Sequence, residues 1–150
     1  MEKVFHFDSP RGRYACDAAI VWCFDNRFEL AFRKFLKRLG VEFTDPIKIA
    51  GGAKSLSSPG KESEREFVLD QIRTSMRLHN TKRVILMLHS DCGAFGGLEA
   101  FGGNESDEAE FMRKELHKAA NALLQAIPGL RVDAYFVDFD GVWERKVQPA

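Results

Sequence analysis

Two short runs carry most of the chemistry available to this sequence. Cys23-Phe24-Asp25-Asn26-Arg27 offers a thiol, a carboxylate and a guanidinium, and His89-Ser90-Asp91-Cys92-Gly93 offers an imidazole, a carboxylate and a second thiol. Two cysteines and a histidine form the soft-to-borderline donor set that suits Zn²⁺, with Zn–S at about 2.3 Å and Zn–N at about 2.0–2.1 Å. His89 and Cys92 stand three apart, so one loop can turn both toward a point, while Cys23 must arrive from another segment. Three protein ligands leave a fourth position open, which separates a catalytic zinc from a closed structural one. Zinc at such a site lowers the pKa of bound water to about 7.

Asp25 and Arg27 stand two apart, and in an extended stretch their side chains leave on one face. An arginine bound to Asp25 would keep that carboxylate ionised and oriented, free to accept a hydrogen bond from metal-bound water. Without Arg27, Asp25 would be free to close the fourth position. Each residue also has a plainer reading. A single cysteine is more often a buried thiol, and an Asp–Arg pair is more often a surface ion pair of little worth. Gly51-Gly52 reads as a tight turn or as an anion cradle, and Asp91 as a support for the site or a loop residue. Cys16 has no matching partner, and His6, His79 and His117 read as solvated histidines.

The elements that must position these runs are read from apolar periodicity. Ala18 to Cys23, Lys48 to Ala50, Val84 to Leu88 and Val132 to Val137 read as strands buried on both faces. Phe28, Phe32, Phe35, Leu36 and Leu39 recur at helical spacing and stop at Gly40. A second helix is predicted from about Lys61 to Asn80, and a third from about Ser106 to Ile127, ended by Pro128-Gly129. Gly51 to Gly60 reads as a loop. This alternation predicts an α/β fold, a mainly parallel four-stranded sheet with crossover helices. In such sheets ligands bind beyond the carboxyl ends of the strands, where the two reactive runs fall. Asp140-Gly141 signals a hairpin to a last antiparallel strand from about Val142 to Val147. Tyr135 to Val142 also looks like the start of a haloacid-dehalogenase-type phosphatase, but too few residues follow to build one.

Length and composition bound the rest. A chain of 150 residues reads as one domain, residues 1–150, with 1–17 as an N-terminal arm. Its 22 Lys and Arg offset 22 Asp and Glu, so no basic excess favours nucleic acid. The apolar runs fall far short of the roughly 20 residues needed to cross a bilayer, and the first residues lack the build of a secretory signal. The 3 cysteines are odd in number and favour thiols or metal ligands over disulfides. A cytoplasmic protein is expected.

The spaced pair C-x-D-x-R and H-x-x-C-G, each after a strand, resembles the hallmark of the beta-class carbonic anhydrases, and the likeness runs from about Ala18 to about Val147. Ala50-Gly51-Gly52 is similar to a loop of that family. Many relatives carry Arg-Asn where this chain has Lys48-Ile49, and a longer N-terminal arm. The resemblance implies zinc held by Cys23, His89 and Cys92, with Asp25 and Arg27 as the catalytic dyad. It further implies reversible hydration of CO₂ to bicarbonate and a proton, and a homodimer or higher homo-oligomer. Phe24 and Phe95 are the aromatic residues expected nearest the substrate. Two other functions remain: hydrolysis of CS₂ or COS at the same zinc, and a non-catalytic zinc-binding scaffold closed by Asp25.

Overall fold

The computed structural model describes residues 1–148. In chain order the elements are β1 (Ala18–Cys23), α1 (Glu29–Leu39), β2 (Thr44–Ile49), α2 (Lys54–Ser57), α3 (Glu62–His79), β3 (Arg83–His89), α4 (Glu105–Ala126), β4 (Arg131–Val137) and β5 (Val142–Arg145). The strands form one sheet in the order β2-β1-β3-β4-β5, parallel except for the antiparallel pair β4–β5. The α/β class, the four parallel strands and the terminal hairpin are all as the sequence predicts.

The central strands behave as the apolar runs require. All of β1 is buried, as is β3 from Val84 onward, and helix residues Leu56, Val68, Ile72, Met112, Leu116 and Leu123 complete the core. Truncating a buried residue of this kind to Ala removes about 2–5 kcal/mol. Helix α1 ends as read: Gly40 takes φ +77° and its N–H reaches the carbonyls of Leu36 and Lys37.

Four expectations need correction. The second strand lies at Thr44–Ile49, not Lys48 to Ala50, and is a half-buried edge rather than a strand buried on both faces. Pro46 hid it, because a residue without an N–H reads as a strand breaker although an edge tolerates it. The Gly51–Gly60 segment is not all loop, since α2 inserts Leu56 into the core. The last strand stops at Arg145 instead of Val147. His79 is not a solvated histidine: Nδ1 lies 2.7 Å from Asp45 Oδ2 and its ring sits 4.1 Å from that of Tyr14. Asp45 also accepts from Tyr14 Oη and Ser75 Oγ, which moors the chain ahead of β1 to β2 and α3. Cys16 is buried nearby.

The hairpin disposes of the phosphatase reading. Asp138 Oδ1 accepts the N–H groups of Asp140 and Gly141, and Oδ2 accepts Trp143 Nε1. That carboxylate is committed to the turn.

Gly52 shows how closely the glycine loop approaches the strands. It has φ +54°, and a Cβ there would lie 2.8 Å from Cys23 N and 2.9 Å from the Met87 carbonyl oxygen. Gly102 has φ +62° with open space around it. Gly102→Ala should therefore lose about 1 kcal/mol in urea unfolding, the cost of the left-handed backbone alone. Gly52→Ala should lose about 3 kcal/mol or more, because overpacking against backbone adds to it. Equal losses would mean that the Gly52 contact is not tight.

Candidate metal centre

Parallel pairing of β1 with β3, in register at Val21 and Leu86, brings Cys23 and His89 out of the sheet side by side. The chain turns after His89 and returns Cys92 to the same point. The two sulfurs and the imidazole nitrogen lie within 4.8 Å of one another, all three residues are buried, and together they could hold a metal ion. Among the described residues this is the one such group.

The imidazole is prepared for ligation. Its Nδ1 lies 2.7 Å from the Ser90 carbonyl oxygen, which only accepts, so Nδ1 carries the hydrogen and the lone pair sits on Nε2. Nε2 is buried and has no hydrogen-bond partner. A buried acceptor left bare costs roughly 1–3 kcal/mol unless something fills the place. Two cysteine sulfurs beside a bare imidazole nitrogen fit a zinc ion in donor chemistry and in count.

The thiols share their protons unequally. A hydrogen bond from Cys92, with the backbone N–H groups of Asp25 and Gly51, pulls the Cys23 thiol well below its ordinary range against burial. Donating that bond, together with burial, pushes Cys92 far up. Burial works to lower the His89 pKa, but the neighbouring Cys23 sulfur and the Ser90 carbonyl raise it on balance.

Asp25 and Arg27 are not in an extended stretch. Asp25 caps a 3₁₀ turn, Asn26–Phe28, and accepts Arg27 N–H at Oδ1. The guanidinium folds back on the same carboxylate, Nε to both oxygens at 3.1 Å and Nη2 to Oδ2 at 2.7 Å. The pairing read from the sequence is present, through a tight turn. These bonds hold the Asp25 carboxyl down to about 2, with Oδ2 4.0 Å from His89 Nε2.

Asp91, left open by the sequence, supports this pair. Its Oδ2 accepts Arg27 Nη1 and its carbonyl accepts Arg27 Nη2, both at 3.0 Å. Oδ1 accepts Leu98 N–H, and that bond with the guanidinium holds Asp91 below the ordinary carboxylate range. Neither Phe24 nor Phe95 is among the rings that pack on the imidazole. Phe24 is 64% exposed, and Phe95 packs against Phe111 with the Lys54 ammonium over its ring. Phe28 stands against His89 at 4.7 Å, as does Trp22 at 5.6 Å; Phe139 backs Phe28, and Arg27 lies over both phenylalanine rings. Periodicity assigns Phe28 to a helix face, whereas it ends the 3₁₀ turn, and the hairpin brings Phe139 against it.

Matches to known proteins bear on the family and the fold. A family model described as "Putative carbonic anhydrase" matches residues 14–147. An uncharacterised protein of Rickettsia bellii (strain RML369-C) is 28% identical over 129 residues, covering 84% of this chain and 79% of the relative. A tetrameric beta-carbonic anhydrase of Sordaria macrospora superimposes with TM-score 0.60 at 16% identity, over 91% of this chain and 84% of that one. The apo form of a carbon disulfide hydrolase superimposes with TM-score 0.53 at 13% identity, over 89% of this chain and 81% of that one. At such identities the solved structures share the fold.

The Arg27 clamp has a measurable consequence. In the metal-free protein a ¹³C titration of the Asp25 carboxyl should show a midpoint near 2, so its contribution to stability is present above the ordinary carboxyl range and lost as pH falls through about 2. Arg27→Ala should move the midpoint up toward the ordinary value of about 3.9. An unmoved midpoint would show that something other than Arg27 sets it.

Proposed function

The chain belongs to the family described as "Putative carbonic anhydrase", and on that premise we propose that it catalyses the reversible hydration of carbon dioxide to bicarbonate and a proton. The observation that carries the reading is the bare, buried Nε2 of His89 beside two cysteine sulfurs and an arginine-held carboxylate. We assign Cys23, His89 and Cys92 as the ligands of a zinc ion. When bound, the ion supplies Lewis acidity that ionises a water molecule near neutral pH.

This chain's own residues then do the positioning. Asp25 would accept the O–H of the reacting water and so turn a lone pair of the water oxygen toward the substrate carbon. Arg27 keeps Asp25 ionised and turned to accept a hydrogen bond rather than to ligate, which favours an open site over the closed scaffold. Phe28 and Phe139 give the apolar side on which a small uncharged substrate can rest. Hydrolysis of CS₂ or COS uses the same attack on a linear substrate, and the likeness in fold to a carbon disulfide hydrolase keeps it as the second reading.

We read residues 1–150 as a single zinc domain with 1–17 as its arm, working in the cytoplasm, where its free thiols stay reduced. We infer a homodimer or higher homo-oligomer, since Phe24, Phe67, Phe139 and Trp143 are exposed. Gel filtration at a single 17.0 kDa mass would overturn that inference.

Stopped-flow CO₂ hydration on protein of assayed zinc content tests the reaction. Wild type should hold one zinc per chain and hydrate CO₂. Cys92→Ser should lose the metal, whereas Asp25→Asn should keep it and lose roughly 10–100-fold in hydration rate. Full zinc without hydration would overturn the CO₂ reading, and CS₂ or COS turnover by that protein would replace it.

A further inference from the structure

We propose that Glu108 is the positioning residue of the metal centre, setting the orientation of the His89 ring through the peptide between Ser90 and Asp91; the proposal rests on the zinc reading above. Glu108 stands near the start of α4, is 1% exposed, and carries none of the proposed ligand or acid–base roles. Its Oε1 accepts Ser90 Oγ at 2.5 Å and its Oε2 accepts the Asp91 N–H at 2.8 Å. Ser90 and Asp91 are the residues between His89 and Cys92.

The Ser90 carbonyl and the Asp91 N–H belong to one planar peptide and so point in opposite directions. Glu108 takes the N–H at one end. The carbonyl is thereby aimed at His89 Nδ1, 2.7 Å away, which leaves the lone pair on Nε2 facing the two sulfurs. A turn of this peptide would break both bonds at once and rotate or re-tautomerise the imidazole. The peptide needs such a hold, because Asp91 takes φ +55° without being glycine, a left-handed backbone that disfavours residues with a Cβ. The same residue receives Arg27 at its carbonyl and carboxylate, so the clamp also sets the anchor of the Arg27–Asp25 pair.

Both carboxylate oxygens are used as acceptors. Glutamine offers one acceptor oxygen and an amino group that cannot accept, so it can satisfy only one of the two contacts. Glu115, about two turns further along α4, supplies the control. It is also buried, and its oxygens are taken by Ser57, Ser58 and Lys118, none of which touches the ligand loop.

The test compares Glu108→Gln and Glu115→Gln in full-length protein loaded with Co²⁺, reading metal affinity by chelator competition together with the d–d and thiolate charge-transfer bands. Glu108→Gln should lose roughly 10–100-fold in affinity with shifted bands, while Glu115→Gln keeps both and loses only thermal stability. Wild-type affinity and bands in Glu108→Gln would overturn the proposal and leave Glu108 a residue of the fold alone. If Glu108→Gln does not fold, Glu108→Asp decides, because it keeps the charge but withdraws it by one methylene: shifted bands support the proposal and unshifted bands overturn it. A wild type that binds Co²⁺ but hydrates no CO₂ overturns the activity reading and leaves these arms intact. A wild type that binds no metal overturns both.

Discussion

Parallel pairing of β1 on β3 is the constraint on which the rest of the molecule depends. Both strands are buried on both faces, so their register is set by apolar packing, and slipping by one residue would send every side chain to the opposite face. That register brings Cys23 and His89 out together. The glycine loop can lie against the junction only because Gly52 has no Cβ to meet the backbones of Cys23 and Met87.

The polar groups brought into this end of the sheet form a hierarchy of matched partners. Asp25 is held by Arg27, Arg27 by Asp91, and the Asp91 N–H by Glu108. The buried carboxylate of Glu108 is tolerable because each of its oxygens finds a donor, and those donors, Ser90 Oγ and the Asp91 N–H, belong to the ligand loop. Helix α4 consequently does two jobs. Its apolar face packs on the sheet, while Glu108 and Glu115 on the same helix tie down the ligand loop and α2. Among the described residues the buried side-chain atoms without partners are Trp22 Nε1, His89 Nε2 and Arg145 Nε. Only the histidine atom of the three lies among metal-competent donors.

Structural neighbours at 13–16% identity share this sheet and its helices. That divergence is what the physical account leads one to expect. Apolar strands tolerate exchange among similar side chains, whereas the loops beyond the strand ends have narrow requirements: a glycine where backbones touch, and a carboxylate beside a guanidinium. A shared fold of this kind supports different chemistry according to what surrounds the site.

The sequence by itself determined the strands of the core, the long helices and the residue types of the centre, because these are written in local periodicity and in the chemistry of single side chains. Ala18–Cys23, the α1 stop at Gly40 and the hairpin after Asp138 needed only near neighbours. The edge strand at Thr44–Ile49 escaped because Pro46 breaks the local pattern, and only its place at the edge makes that harmless. His79 with Asp45, Phe139 with Phe28, and Glu108 with Ser90 and Asp91 are pairs distant in the chain that no local pattern announces. The tertiary structure alone decided them, since a hydrogen bond or ring contact depends on distances of a few ångströms that chain spacing does not fix. The same holds for which imidazole nitrogen is bare: composition supplies the histidine, and the direction of one peptide decides what it can bind.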